Sequence, residues 1–204
     1  TYWQILPICP TSYGDSPYQS FSTYAGNPYF ISLEELIEQK LLTEKECDKV
    51  DFGNKIDKVD YEKLYNGRFK LLKKAYKRSN IREREEFKKF KDENQYWLND
   101  YAMFMAIKER FKGQSFDNWA EDIKLRWGYS MEYYQNELKE EIEFYKFAQY
   151  EFYRQWYKLK KYANDNGVKI IGDIPIYVAY DSADVWAHPE LFQMDENGKP
   201  VAVA

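Results

Sequence analysis

With 204 residues, 44% of them hydrophobic, the chain is long enough to bury a core and fits one domain or one and a half. A net charge of −4 argues against a nucleic-acid partner, which needs a basic face, and the single histidine, His188, excludes a His/Cys metal cluster and leaves a Ser-His triad unsupported. The cysteines Cys9 and Cys47 are too few for a disulfide framework and read as free thiols of a cytoplasmic protein, or at most one bridge; no stretch reads as a signal peptide, and no apolar run nears membrane-spanning length.

The chain opens on Thr1-Tyr2-Trp3 without Met, which reads as processing or as a cut from a longer polypeptide. Trp3 to Ile8 is a short apolar run closed by Cys9-Pro10, and it predicts a buried strand with Pro7 near its end. Residues 11–28 form a long loop dense in Gly, Pro, Ser, Asp and Tyr, with turn signals at Tyr13-Gly14-Asp15 and Asn27-Pro28. Loops of this length are often functional. Aromatic residues make up 19% of the chain. Core packing explains most of them, but tyrosines interleaved with hydroxyls in this loop also suit a sugar, offering flat apolar faces beside donors and acceptors. An ordinary ordered surface loop is the plainer reading.

Ser32-Leu33-Glu34-Glu35 is a capping box opening a short helix to about Leu42, and Thr43-Glu44-Lys45-Glu46 repeats the signal. Residues 50–59 read as loop. Asp60 caps a helix to about Ser79 with a stripe of Tyr61, Leu64, Tyr65, Leu72 and Tyr76. Residues 82–93 are a charged helix anchored by Phe87 and Phe90, its charges a solvated face. Trp97, Tyr101, Phe104, Ile107 and Phe111 mark another amphipathic helix, ended by Gly113. A short helix over 116–124 breaks near Gly128. From Ser130 to about Asn164 the apolar period is continuous, predicting one core-facing helix with Gly167 as its C-cap.

The stretch from Val168 begins as an apolar, β-branched run, the pattern of a strand buried on both faces as in a parallel sheet, and Gly172 weakens it. Pro175 cannot donate to a central ladder, so pairing ends about there. Asp173 therefore sits at the strand's C-terminal end, where α/β proteins place ligand-binding residues. The alternative is a solvated loop carboxylate. Residues 180–186 predict a helical turn capped by Asp181 or Ser182, and residues 195–200 a hairpin turn. The chain stops within Val201-Ala202-Val203-Ala204, which reads as mid-strand.

Two stretches resemble one family. Trp3 to Pro7 with Pro10-Thr11 and Tyr13 to Ser22 is similar to the loop after the second barrel strand of 4-α-glucanotransferases, also called amylomaltases. Ile170 to Val178 with Asp181 to Ala187 resembles that family's third strand and the loop after it, and Gln155-Trp156 fits the helix before it. The resemblance implies an α/β fold, a portion of a TIM (β/α)8 barrel holding the second and third strands with a large helical insertion between them. Residues 1–31 would be a barrel strand and substrate loop, 32–128 the helical insertion, and 129–204 the barrel helix, strand and active-site loop. It implies retaining transfer between α-1,4-glucans with no cofactor and no metal, and neither a nucleic-acid nor a membrane partner. Asp173 matches an aspartate that supports the sugar at the cleavage point; Ser16, Tyr18 and, less closely, Tyr13 match substrate-binding loop residues. Asp15 reads as a turn residue and His188 as structural. The family's nucleophile and acid/base follow later strands, so none is assigned within these 204 residues, and this chain alone is expected to be inactive. The rival readings are a non-catalytic carbohydrate-binding module and a helical interaction protein built on the 130–164 stripe.

Overall fold

A computed structural model describes residues 1–12 and 14–201. Strand β1 (Tyr2–Gln4) leads into the loop region, which holds β2 (Gln19–Ser20). Helices follow as α1 (Leu33–Glu38), α2 (Glu44–Cys47), α3 (Tyr61–Arg78), α4 (Glu85–Glu93), α5 (Gln95–Arg110), α6 (Glu121–Lys124), α7 (Gly128–Glu137) and α8 (Lys139–Asp165). The chain then returns through β3 (Lys169–Ile171), β4 (Tyr177–Val178) and α9 (Ala183–Ala187).

The strand at the head of the chain and the strand at its tail are parallel neighbours, as expected. Trp3 stands opposite Ile170 and Gln4 opposite Ile171. Ile5 N–H extends the ladder to Ile171 O at 3.0 Å. A second parallel pair sets Gln19 opposite Tyr177 and Ser20 opposite Val178. Both strands are shorter than the apolar runs that predict them. The expectation of a strand buried on both faces is corrected: β1 is exposed throughout, and Ile171 is 47% exposed. Each pair has only two strands among the described residues; α8 packs on β3, and Ser20 of β2 is buried, while β1 stays exposed.

The core lies among the helices. α5 runs against α8 and α9, while α3 and α4 pack on α8. Phe87, Leu98, Phe104, Ala106, Ile107, Phe147 and Ala148 are fully buried. The anchors read from the sequence on α4 and α5 occupy this core. On α3 the buried face is Gly67, Leu71, Leu72 and Ala75, whereas Tyr61 and Tyr65 stay exposed. The stripe therefore turns away from solvent only in the helix's second half.

Local signals fix the helix ends. Ser32 Oγ accepts from Glu35 N–H at 3.1 Å and Asp60 Oδ1 from Lys63 N–H at 3.1 Å. The box at Ser32 is only half made. The Glu35 carboxylate turns to Arg154 and Lys158 instead, and Gln155 Oε1 takes the Ser32 N–H at 2.7 Å. α1 also stops short of Leu42, since Lys40 has φ +62°. Gly113 and Gly167 hold φ +80° and +74°, the left-handed conformation that ends a helix.

Two expectations for the middle of the chain are corrected. The helix predicted over 116–124 is a 3-10 turn at Phe116–Asn118 followed by α6, and the break expected near Gly128 falls just before it, where α7 begins. The helix predicted from Ser130 to Asn164 is two helices joined at Leu138, whose φ −106° and ψ 24° leave the helical region. Leu138 is buried, and the bonds from Leu138 N–H to Tyr134 O and from Ile142 N–H to Leu138 O survive at 2.9 Å. The apolar period thus passes through the joint unchanged.

Candidate substrate-binding site

The loop that follows β1 is held by its own backbone. Thr11 bridges Ser20, Ser12 N–H donates to Gln19 O at 3.1 Å, and Gln19 N–H to Ser16 O at 3.2 Å. The tight return needs positive φ at Gly14 (+88°) and Asp15 (+55°), in keeping with Asp15 as a turn residue. Ser20 is fully buried, and its hydroxyl touches Pro10 O at 2.6 Å and Ser22 O at 2.7 Å. Ser16 Oγ accepts from Tyr18 N–H at 3.3 Å, which holds the Tyr18 backbone.

The loop is also pinned to the helical core. Gln149, fully buried on α8, receives Gly26 N–H at 2.7 Å and donates to Gly26 O at 2.9 Å. Gly26 packs so closely that a Cβ there would lie 2.0 Å from the Phe152 ring. Tyr153 Oη donates to Tyr24 O. Only glycine fits at this contact.

The two stretches singled out from the sequence meet at one point. Tyr18 Oη donates to Asp173 Oδ2 at 3.0 Å, across 155 positions of sequence. Asp173 also accepts from Ile174 N–H at 2.8 Å through Oδ1. This bond to the carboxylate pushes the Tyr18 phenol above its ordinary value, because ionising it would set two negative charges side by side. Asp173 is exposed, Ser16 and Tyr18 half-buried. Tyr13 lies outside the described residues.

Ser16 and Tyr18 line a groove of about 600 Å³ whose far wall is Val178, Tyr180, Phe192 and Met194. That wall was not legible as a site. Its residues are apolar or aromatic, and only the return of the chain through β4 and beyond brings them beside the loop. Tyr180 Oη shares its one proton between Gly198 O at 2.9 Å and Asp117 Oδ1 at 3.2 Å, tying the wall to the 195–200 turn and to the helical lobe. Burial beside the Asp117 carboxylate pushes its phenol up to about 12. In that turn Asp195 N–H meets Lys199 O at 2.8 Å, as the hairpin reading expects.

A second cleft of about 400 Å³ is lined by Tyr24, Tyr96, Trp97, Asp184 and His188. Burial raises the Asp184 carboxyl, although Thr23 N–H donates to its Oδ2 at 2.8 Å. His188 contacts Glu190 at 3.1 Å and closes α9 through its N–H to Asp184 O. It lines this cleft and not the Tyr18 groove.

Parallel strand pairs beside a helical lobe, with a tyrosine-lined and largely apolar groove, fit an α/β fold of the glycoside-hydrolase-like kind. A family model described as 4-alpha-glucanotransferase matches residues 1–201. A 4-alpha-glucanotransferase of Clostridium butyricum is 48% identical over the whole chain, and the chain covers 42% of it. One from Streptococcus pneumoniae is 48% identical, with 41% of its length covered. The solved amylomaltase of Streptococcus agalactiae in complex with acarbose superposes with a TM-score of 0.92 at 41% identity, over the whole of this chain and 41% of that one. The chain belongs to the 4-alpha-glucanotransferase family. It spans about two fifths of the length of the curated relatives it matches.

Proposed function

We propose that this chain is the substrate-binding side of a 4-α-glucanotransferase, which moves a segment of a 1,4-α-glucan to the 4-hydroxyl of an acceptor. The observation that carries the reading is the Tyr18–Asp173 contact, which joins two separate family motifs at the ends of parallel strands. A second support is the S. agalactiae amylomaltase, whose structure holds acarbose. In this reading β1 and β3 are the second and third strands of a TIM barrel. Residues 32–128 are an insertion between them, and residues 129–204 restore the barrel helix, strand and loop. The exposed apolar faces at Trp3, Leu6 and Ile171 are then faces that further barrel strands cover.

The reaction is a retaining double displacement. A carboxylate attacks the anomeric carbon as the glycosidic oxygen leaves with a proton from a carboxylic acid. The acceptor 4-hydroxyl then attacks the glycosyl-enzyme and returns a proton to that group. We place both of these carboxyl groups beyond Ala204. Asp173 accepts hydrogen bonds from hydroxyls of the sugar at the cleavage point, Tyr18 holds Asp173 and offers a ring face, and Ser16 and Tyr13 border the same sugar. The full-length protein should convert maltotriose to glucose and longer maltodextrins, whereas residues 1–204 alone should not. Failure of the full-length protein to disproportionate maltotriose would reject the proposal. Turnover by residues 1–204, abolished by one Asp or Glu substitution within them, would move the active site into this chain.

A further inference from the structure

Lys108 stands on α5 and Asp181 just before α9, 73 positions apart. Both are nearly excluded from solvent, at 5% and 8%. Lys108 Nζ donates to Asp181 Oδ2 at 2.5 Å and to Gln114 O at 3.2 Å. The other carboxylate oxygen of Asp181 accepts from Phe116 N–H at 3.1 Å. The ammonium also lies 5.2 Å from the centre of the Phe21 ring and 5.7 Å from that of Phe104. One buried pair therefore grips three parts of the molecule: the helical lobe, the residue just after β2, and the segment after β4.

The pair's place decides what it is for. Asp181 lies in the stretch that gives the groove Val178, Tyr180 and Val185. Phe21 follows β2, and its carbonyl takes Ala183 N–H at 2.8 Å, so both walls of the groove close on the same pair. A buried ion pair is a weak source of stability, since apolar side chains of similar volume often serve as well. It does fix a geometry, because charge-assisted bonds tolerate little displacement. We propose that Lys108 and Asp181 are positioning residues that set the glucan groove's far wall against Tyr18. This rests on the function proposed above.

The test is the full-length protein carrying Lys108→Met together with Asp181→Leu. The variant should keep a cooperative melt, while residues 177–186 shift in its crystal structure. Its affinity for maltotriose should fall by roughly tenfold, the equivalent of about one lost hydrogen bond in the groove. The loss should appear mainly in KM rather than kcat. An unshifted segment with parental affinity would overturn the proposal. If the double variant does not melt cooperatively, Lys108→Arg decides. It keeps the charge but is bulkier, so weakened binding supports positioning and parental binding overturns it. If the parent itself binds no maltooligosaccharide, the function is at fault, and the crystallographic position of 177–186 in the variant still decides the positioning role.

Discussion

The helical lobe and the strand pairs are built to different ends. Phe104 in the lobe is fully buried and meets Phe116, Trp119 and Trp186 at centroid distances of 5.4–6.4 Å. The strand pairs bury little, yet they carry Asp173 and Tyr18. Most side chains of the core are hidden from any ligand, whereas Tyr18 and Asp173 are accessible and contribute little to holding the molecule together. The loop and groove residues inherit their order from the lobe, through Gln149 on Gly26 and Lys108 on Asp181.

That division can be broken by substitution. Phe104→Ala should have the largest effect, lowering stability by about 3–5 kcal/mol through lost burial and a residual cavity, as read by denaturant unfolding. Asp173→Asn keeps the volume, removes the charge and exchanges acceptors for donors. In the full-length protein, transfer from maltotriose should fall by roughly two orders of magnitude, about 3 kcal/mol of transition-state stabilisation, with an unchanged melt. Parental rates in that variant would refute the role of Asp173. Tyr18→Phe removes one exposed hydrogen bond and keeps the ring, so the loss should be about 1 kcal/mol, several-fold in rate. An unchanged rate would leave only the ring face as Tyr18's contribution.

The smallest effect sharpens the link between the two regions. Asp117 is held down at about 2 by its bonds to Lys124 and Lys199, and it anchors Tyr180. A folded value below the unfolded value of about 3.9 means that its contribution is present above about pH 4 and is lost as the pH falls towards 2. The difference in melting temperature between the parent and Asp117→Asn should therefore shrink across that window. A constant difference would show that the Asp117 charge does not couple to folding.

Much of this was legible where the signal is local. Ser32, Asp60, Gly113 and Gly167 mark helix ends because a cap depends on a few adjacent residues. Of the two caps left open before α9, Ser182 takes the role, accepting from Val185 N–H at 3.2 Å. Asp181 is drawn away to Lys108, and nothing in the neighbouring sequence could announce a partner 73 positions off. Nor could the period reveal the joint at Leu138, because 134, 138 and 142 keep helical spacing on either side of it. The strand at 168–174 reads as buried because its side chains are apolar, but burial depends on what lies across from them. Tyr18 and Asp173 stand out in the sequence because each lies in a recognisable stretch; their contact is a property of the parallel pairing.

That pairing also bears on the order of events as the chain folds. Trp3 meets Ile170 only after more than 160 intervening residues have found their places. Closing so long a loop in an open chain is entropically costly and is rewarded by few bonds. Once α3, α4, α5 and α8 have collapsed, the ends of the excursion are already near each other and the effective loop is short. The strand amides should thus be the last to gain protection. Pulse-labelled hydrogen exchange should find Ile5 N–H, bonded to Ile171 O, exchanging after the amides of α5 and α8 are shielded. The residues that would face a glucan then belong to the latest-formed part of the chain.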